Sequence, residues 1–284
     1  MRKGKKMQLG IRLHDIKKAP LEERLAIANE QGFACGHLAL AKVISEYPVN
    51  DGALTPGFAL YLKKLFAKNE LDVAVLGCYL NLANPNEESL AKIKRRYLTN
   101  IRFASLLGAG VVGTETGAVN EEYKFEERNH SDEALDIFIQ NVRPVVEYAE
   151  KMGVILAIEP VAKHIVCNPK RARRVLDEIA SPNLQIIFDP VNLLDHSNYQ
   201  NREEIFTEAI DLLGEDIAMV HIKDFVVKDN ELVSVAAGTG EMDYSQIIRF
   251  MKEKKPYIHA TLENTVPENA VAAREYIQNL WDQA

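Results

Sequence analysis

Four apolar runs in the second half of the chain each end on a residue that could bind a metal: Leu156-Ala-Ile-Glu-Pro160, Ile186-Ile-Phe-Asp-Pro190, Met219-Val-His-Ile-Lys-Asp224 and Ala260-Thr-Leu-Glu-Asn264. A carboxylate at the tip of a buried strand is costly unless a partner or a cation takes its charge. Singly, each has a plain reading. Glu159 and Asp189 precede proline and could cap a turn, His221 could be a hydrogen-bonded core histidine, and Glu263 could pair with a nearby lysine. Together they recur at intervals near one βα unit, roughly 30 residues in a barrel, so they fall at the same level of successive strands. Glu159, Asp189, His221 and Glu263 thus form a candidate cage for one divalent metal ion. Three carboxylates and one imidazole suit Mn²⁺ or Mg²⁺ first, with Co²⁺, Fe²⁺ or Zn²⁺ as further candidates, rather than a thiolate-rich structural zinc.

The elements that must position this cage alternate along nearly the whole sequence. Candidate strands are Gln8–Leu13, His37–Lys42, Asp72–Tyr79, Gly110–Thr116, Val154–Val161, Leu184–Val191, Ile217–Asp224 and Tyr257–Glu263. Helical periodicity fills the intervals near Leu21–Gln31, Thr55–Asn69, Glu87–Leu107, Ser131–Met152, Pro169–Ile179, Glu203–Leu213, Tyr244–Lys254 and Pro267–Trp281. This pattern predicts an α/β chain, a (β/α)8 TIM barrel in one domain over residues 1–284, ahead of a doubly wound open sheet. No Pro/Gly/Ser-rich linker divides it. The stretches Asn120–Asn129 and Phe225–Met242 read as the longest loops at the strand ends. Gly108-Ala-Gly-Val-Val-Gly113 satisfies GxGxxG, but it follows a predicted helix and opens a strand, the reverse of a dinucleotide site.

Bulk properties exclude other classes. A formal charge of −7 disfavours extended nucleic-acid or anionic-membrane binding. The clusters Lys92–Arg96 and Lys170–Arg174 fall on predicted helices and read as solvated outer faces. The three cysteines show no CxxC spacing, which predicts a reduced, cytoplasmic protein: Cys35 and Cys78 as apolar core, Cys167 as a loop thiol. Residues 1–6 are basic and read as a frayed tail rather than a signal segment, and no apolar run approaches the ~20 residues of a membrane span. The partner expected is a small sugar or polyol, not nucleic acid or membrane. A homo-oligomer is left open.

Further polar residues fall near the same predicted mouth. His164, Asn192 and Lys223 are candidate substrate-binding groups, Lys223 foremost because it is two residues beyond His221 on one strand face. His14 and Glu115 end strands one and four in similar fashion. His37, His130, His196 and His259 carry no comparable signal.

Read in order, Glu-Pro, Asp-Pro-Val-Asn, His-Ile-Lys-Asp and Leu-Glu-Asn resemble the xylose isomerase-like barrel superfamily of sugar isomerases, epimerases and dehydratases, to which endonuclease IV-type nucleases also belong. The resemblance runs from Leu9-Gly-Ile-Arg-Leu13 to the last helix, and Gly238-Thr-Gly240 is similar to the family's glycine loop. It implies that Glu159, Asp189, His221 and Glu263 match the metal positions of the ketose 3-epimerase-like branch, with the two glutamates facing substrate from opposite sides. The sequence departs at Asn192, where ketose epimerases usually carry histidine. The nuclease branch needs that histidine and others for a three-zinc cluster, together with a basic groove; the sequence lacks both.

Moving a hydrogen beside a carbonyl needs a base, an acid for its return and stabilisation of enediolate oxygens, which Glu159, Glu263 and a metal could supply. The sequence therefore predicts a metal-dependent sugar or polyol isomerase or epimerase. A dehydratase of the same barrel type (inosose- or dehydroshikimate-like) is the alternative, and a phosphodiesterase or a non-catalytic barrel is less favoured.

Overall fold

The computed structural model describes residues 6–284; the tail reading for residues 1–5 lies outside them. Apolar, largely β-branched runs form β1 (Gln8–Arg12), β2 (Cys35–Leu38), β3 (Asp72–Gly77), β4 (Val111–Glu115), β5 (Leu156–Glu159), β6 (Leu184–Phe188) and β7 (Ile217–Ile222). An outlying pair, β8 (Asp224–Lys228) and β9 (Glu231–Val235), precedes β10 (His259–Leu262). The helices are α1 (Leu21–Glu30), α2 (Leu40–Val43), α3 (Pro56–Lys68), α4 (Glu87–Leu107), α5 (Asp132–Met152), α6 (Pro169–Ile179), α7 (Arg202–Leu213), α8 (Ser245–Lys254) and α9 (Ala270–Gln283).

Eight parallel strands close in the order β1-β10-β7-β6-β5-β4-β3-β2, a (β/α)8 TIM barrel. Closure comes from β1 pairing with β10, Gln8 opposite His259 and Ile11 opposite Leu262. Helix boundaries follow local chemistry. The side chains of Thr55, Asn86, Ser131 and Asn168 accept the backbone N–H three residues on, and Gly108 and Gly153 end α4 and α5 in the left-handed conformation that lacks a Cβ penalty. The GxGxxG match indeed runs from the end of α4 into β4. Among the described residues, no helix is long and apolar enough to cross a membrane.

Two expectations are corrected. The second strand is Cys35–Leu38 rather than His37–Lys42: Ala and Leu favour helix, and Leu40–Val43 winds into α2. The expected loop Phe225–Met242 contains a hairpin, with Asp229 and Asn230 both at positive φ between alternating strands, the backbone that a tight hairpin turn requires.

Strand alternation places the polar residues. Cys35, Ala74, Val75, Val111, Ala157, Ile187 and Met219 pack together as one buried cluster drawn from six neighbouring strands, the filling of the barrel. Two residues further along β2, β4, β5, β6 and β7, on the same face, come His37, Gly113, Glu159, Asp189 and His221. The polar layer therefore sits directly above the apolar layer, at the C-terminal ends of the strands.

Candidate active site

Glu159 closes β5, Asp189 follows β6, His221 lies in β7 and Glu263 follows β10; all four are buried. His221 Nδ1 is 3.2 Å from Glu159 Oε2 and 3.4 Å from Glu263 Oε1, so the imidazole sits between the glutamates. Asp189 Oδ1 accepts the backbone N–H of Val191 and Asn192, both at 3.0 Å. That turn, set by Pro190, aims the other oxygen at Lys223 Nζ, 2.7 Å away. Lys223, itself buried, also donates to Asn192 Oδ1 at 2.8 Å and Glu263 Oε2 at 3.3 Å. Asn192 Nδ2 in turn donates to Glu159 Oε1 at 2.5 Å. An amide carries both a donor and an acceptor, so Asn192 links a carboxylate to an ammonium.

The electrostatics follow from this packing. Burial opposes charge on His221, yet Glu263 and Glu159 raise it to about 9. Burial likewise works against the Glu263 carboxylate, but His221, Lys223 and Arg12 hold it well below the usual carboxylate range. Burial would push the Lys223 ammonium down, and Asp189 and Glu263 outweigh it and raise it.

The residues fit a divalent cation. Neither ring nitrogen of buried His221 makes a directed hydrogen bond among the described residues. One ligand atom each from Glu159, Asp189 and His221 lie within 4.8 Å of one another, the span expected around an ion with ligands at roughly 2.0–2.4 Å. The charges agree: three buried carboxylates against one Lys223 ammonium leave the deficit that a divalent cation beside a neutral His221 would balance.

Above this floor opens a cavity of about 650 Å³, whose lining includes Glu159, Glu263, Asn192, Lys223, His14 and Glu115. Four of the five sequence-predicted substrate residues thus meet at one mouth. His164 does not line it: its ring stacks on Tyr123 at 5.1 Å and its Nδ1 lies 3.7 Å from Glu115 Oε2. Burial, only partly offset by Glu159, lowers His164 to about 4. His14, in the turn after β1, is lowered to about 4 by burial and then by Arg12.

Several lining residues escaped the sequence reading. Arg12, at the end of β1, is held by two bonds to Asp15 and reaches Glu263 Oε2 at 3.5 Å. Tyr79 donates to Glu159 Oε2 at 3.4 Å. His37 stacks with both Tyr79 and His221, with ring centroids 5.6 and 5.4 Å away. Misplacing β2 by two residues had put His37 at a strand start instead of its C-terminal end. Arg96 corrects the outer-face reading of its cluster: it lines the cavity, with Nη1 on Asp51 and Nη2 on the Val49 carbonyl. Arg173 and Arg174 do lie on the outside, in ion pairs with Asp177, Asp216, Asp136 and Glu178.

Asp224 has a structural task. Its carboxylate accepts the backbone N–H of Phe225, Gly238, Gly240 and Met242, tying the glycine loop to the start of β8. A Cβ at Gly240 would strike the Phe225 carbonyl, so the close approach demands glycine there.

Solved structures share this architecture. A D-tagatose 3-epimerase-like protein is 21% identical, with 98% of each chain covered and a TM-score of 0.75. The 3-keto-D-glucoside 4-epimerase YcjR from E. coli is 16% identical over 96% of this chain and 100% of its own, with a TM-score of 0.74. The IOLI protein, solved with a bound zinc atom, is 18% identical over 98% and 99%, with a TM-score of 0.75. At such identities the likeness is one of fold. No curated protein matches the sequence. The model of the xylose isomerase-like TIM barrel family matches residues 25–280, nearly the whole chain, and the protein belongs to that family.

Proposed function

We propose that the protein is a metal-dependent isomerase or epimerase of a sugar or polyol, with Glu159 and Glu263 as the proton-transferring pair. One observation carries this reading: of the four candidate ligands, Glu159 and Glu263 line the cavity, whereas Asp189 and His221 lie outside its lining. The division suits two tasks, holding an ion from below and handling protons from above. A bound divalent ion would polarise a carbonyl and an adjacent hydroxyl, making the neighbouring C–H more acidic.

The chain's own groups supply the rest. The Glu263 carboxylate lines the cavity beside Lys223 and Arg12 and is placed to take a proton from a bound substrate. Glu159, reached by Asn192 and Tyr79 through different oxygens, faces substrate from another strand and would return the proton or accept it in the reverse direction. Lys223 and Asn192 offer donors to hydroxyl or carbonyl oxygens. Return on the opposite face gives epimerisation, and return at the adjacent carbon gives isomerisation. Lys223 also supports a dehydratase as second reading, since a leaving hydroxide needs a nearby proton donor and this ammonium lines the cavity. The acidic charge and the amide at Asn192 speak against a phosphodiesterase on DNA.

The test is a screen of ketoses, sugar phosphates and inososes in deuterated water with metal-loaded protein. The reading expects deuterium at one carbon of a turned-over substrate and much less with Glu159→Gln or Glu263→Gln. Turnover of a substrate at undiminished rate by both variants, with metal bound, would contradict it.

A further inference from the structure

We propose that His37 is a further ligand of the metal centre, bringing a second imidazole to the ion held by Glu159, Asp189, His221 and Glu263. The proposal rests on the metal reading above and extends it to a strand on the other side of the barrel. His37 is 2% exposed, and among the described residues neither of its ring nitrogens has a hydrogen-bond partner. A buried imidazole left unpaired on both nitrogens is costly, and a native fold retains one where something else takes its lone pair or proton.

The surroundings point to an ion. One donor atom each from His37, His221 and Glu263 lie within 4.8 Å of one another. This triad and the triad of Glu159, Asp189 and His221 share His221. Gly77 makes room for it: a Cβ there would come 2.8 Å from His37 Nε2, closer than side-chain carbons approach a rigid ring. His37 also lines the cavity, so no protein layer separates it from the floor of the site.

A second imidazole alters which metal is preferred. Carboxylates alone suit Mg²⁺, whereas added nitrogen donors shift affinity toward Mn²⁺, Fe²⁺, Co²⁺ and Zn²⁺. The centre should therefore prefer a transition metal to Mg²⁺, and His37→Gln should narrow that preference.

The experiment is pulsed EPR of the full-length protein loaded with one equivalent of Mn²⁺, with and without ¹⁵N-labelled histidine, alongside Mn²⁺ and Mg²⁺ affinities for wild type and His37→Gln. The proposal expects two coordinated imidazole nitrogens in wild type and one in the variant. It also expects Mn²⁺ binding weakened about 10- to 100-fold or more and Mg²⁺ binding changed less. One imidazole nitrogen in wild type overturns the role of His37 and leaves the four-residue metal reading standing. Two ions per chain, each with one imidazole, also overturn it, and no bound metal overturns both readings. The wild-type spectrum decides without the variant should His37→Gln fail to fold.

Discussion

The mouth of the barrel has two unlike halves. On the late strands β5, β6, β7 and β10, the polar groups form one linked chain: Asp189 to Lys223, Lys223 to Glu263 and Asn192, Asn192 to Glu159. On the early strands β1 to β4, Arg12 turns mainly to Asp15, Glu115 to Tyr123, and His37 to stacked rings. The first half is a closed electrostatic network suited to holding an ion. The second is a looser wall of mixed rings and cations, suited to receiving a ligand. His37 apart, which the inference above assigns to the ion, damage to the two halves should therefore show in different measurements.

The largest effects are expected in the late half. Glu159→Gln and Glu263→Gln keep size and part of the ligand capacity but remove the proton acceptor, so turnover should fall about 10²- to 10⁴-fold while metal content changes less. Steady-state kinetics and elemental analysis on the same samples check the split. Asp189→Asn should act in the opposite sense: it leaves the buried Lys223 ammonium without its nearest carboxylate and weakens metal binding, and excess metal should restore part of the activity. Failure of added metal to raise activity at all would place Asp189 outside the ion's reach.

A smaller effect is expected in the early half. Gly77→Ala would set a methyl group 2.8 Å from His37 Nε2 and 3.1 Å from the Tyr79 ring, and rigid rings have little room to yield. Overpacking of this kind costs about 1–3 kcal/mol, read as a lowered urea midpoint with metal-free protein. An unchanged midpoint would mean the stack is loosely held.

The smallest effect concerns pH. His164 is neutral in the folded protein down to about 4, while in the unfolded chain it takes up a proton below its ordinary 6.5. The unfolded state thus binds more protons in that window, so this contribution is full above pH 6.5 and is lost as pH falls toward 4. His164→Gln should lose less stability than wild type between pH 7 and 4.5 in thermal unfolding. Equal losses would assign the acid sensitivity to other groups, His14 among them.

The two halves also differed in how plainly the sequence spoke. In the late half, Glu159 and Asp189 interrupt long apolar runs just before proline, and one acidic or imidazole residue per strand repeats at barrel spacing. The closed barrel and its helices followed from the same alternation of periods. The early half hid its residues for local reasons. β2 has four residues, and the Ala- and Leu-rich segment after it resembles strand but folds as α2, which carried His37 out of phase. Nothing in the local sequence marked Arg12 and Tyr79, because their partners, Glu263 and Glu159, are far along the chain. The β8–β9 hairpin had a usable signal in Asp229-Asn230 between alternating strands. Arg96 had none, because only the closed barrel shows that this part of α4 borders the cavity.

Anomalous diffraction from crystals of the metal-loaded protein tests the central claim most directly. The account predicts one strong peak per chain with Glu159, Asp189, His221 and Glu263 at ~2.0–2.4 Å from it. No peak at the floor of the cavity, or a peak held by other residues, would contradict it.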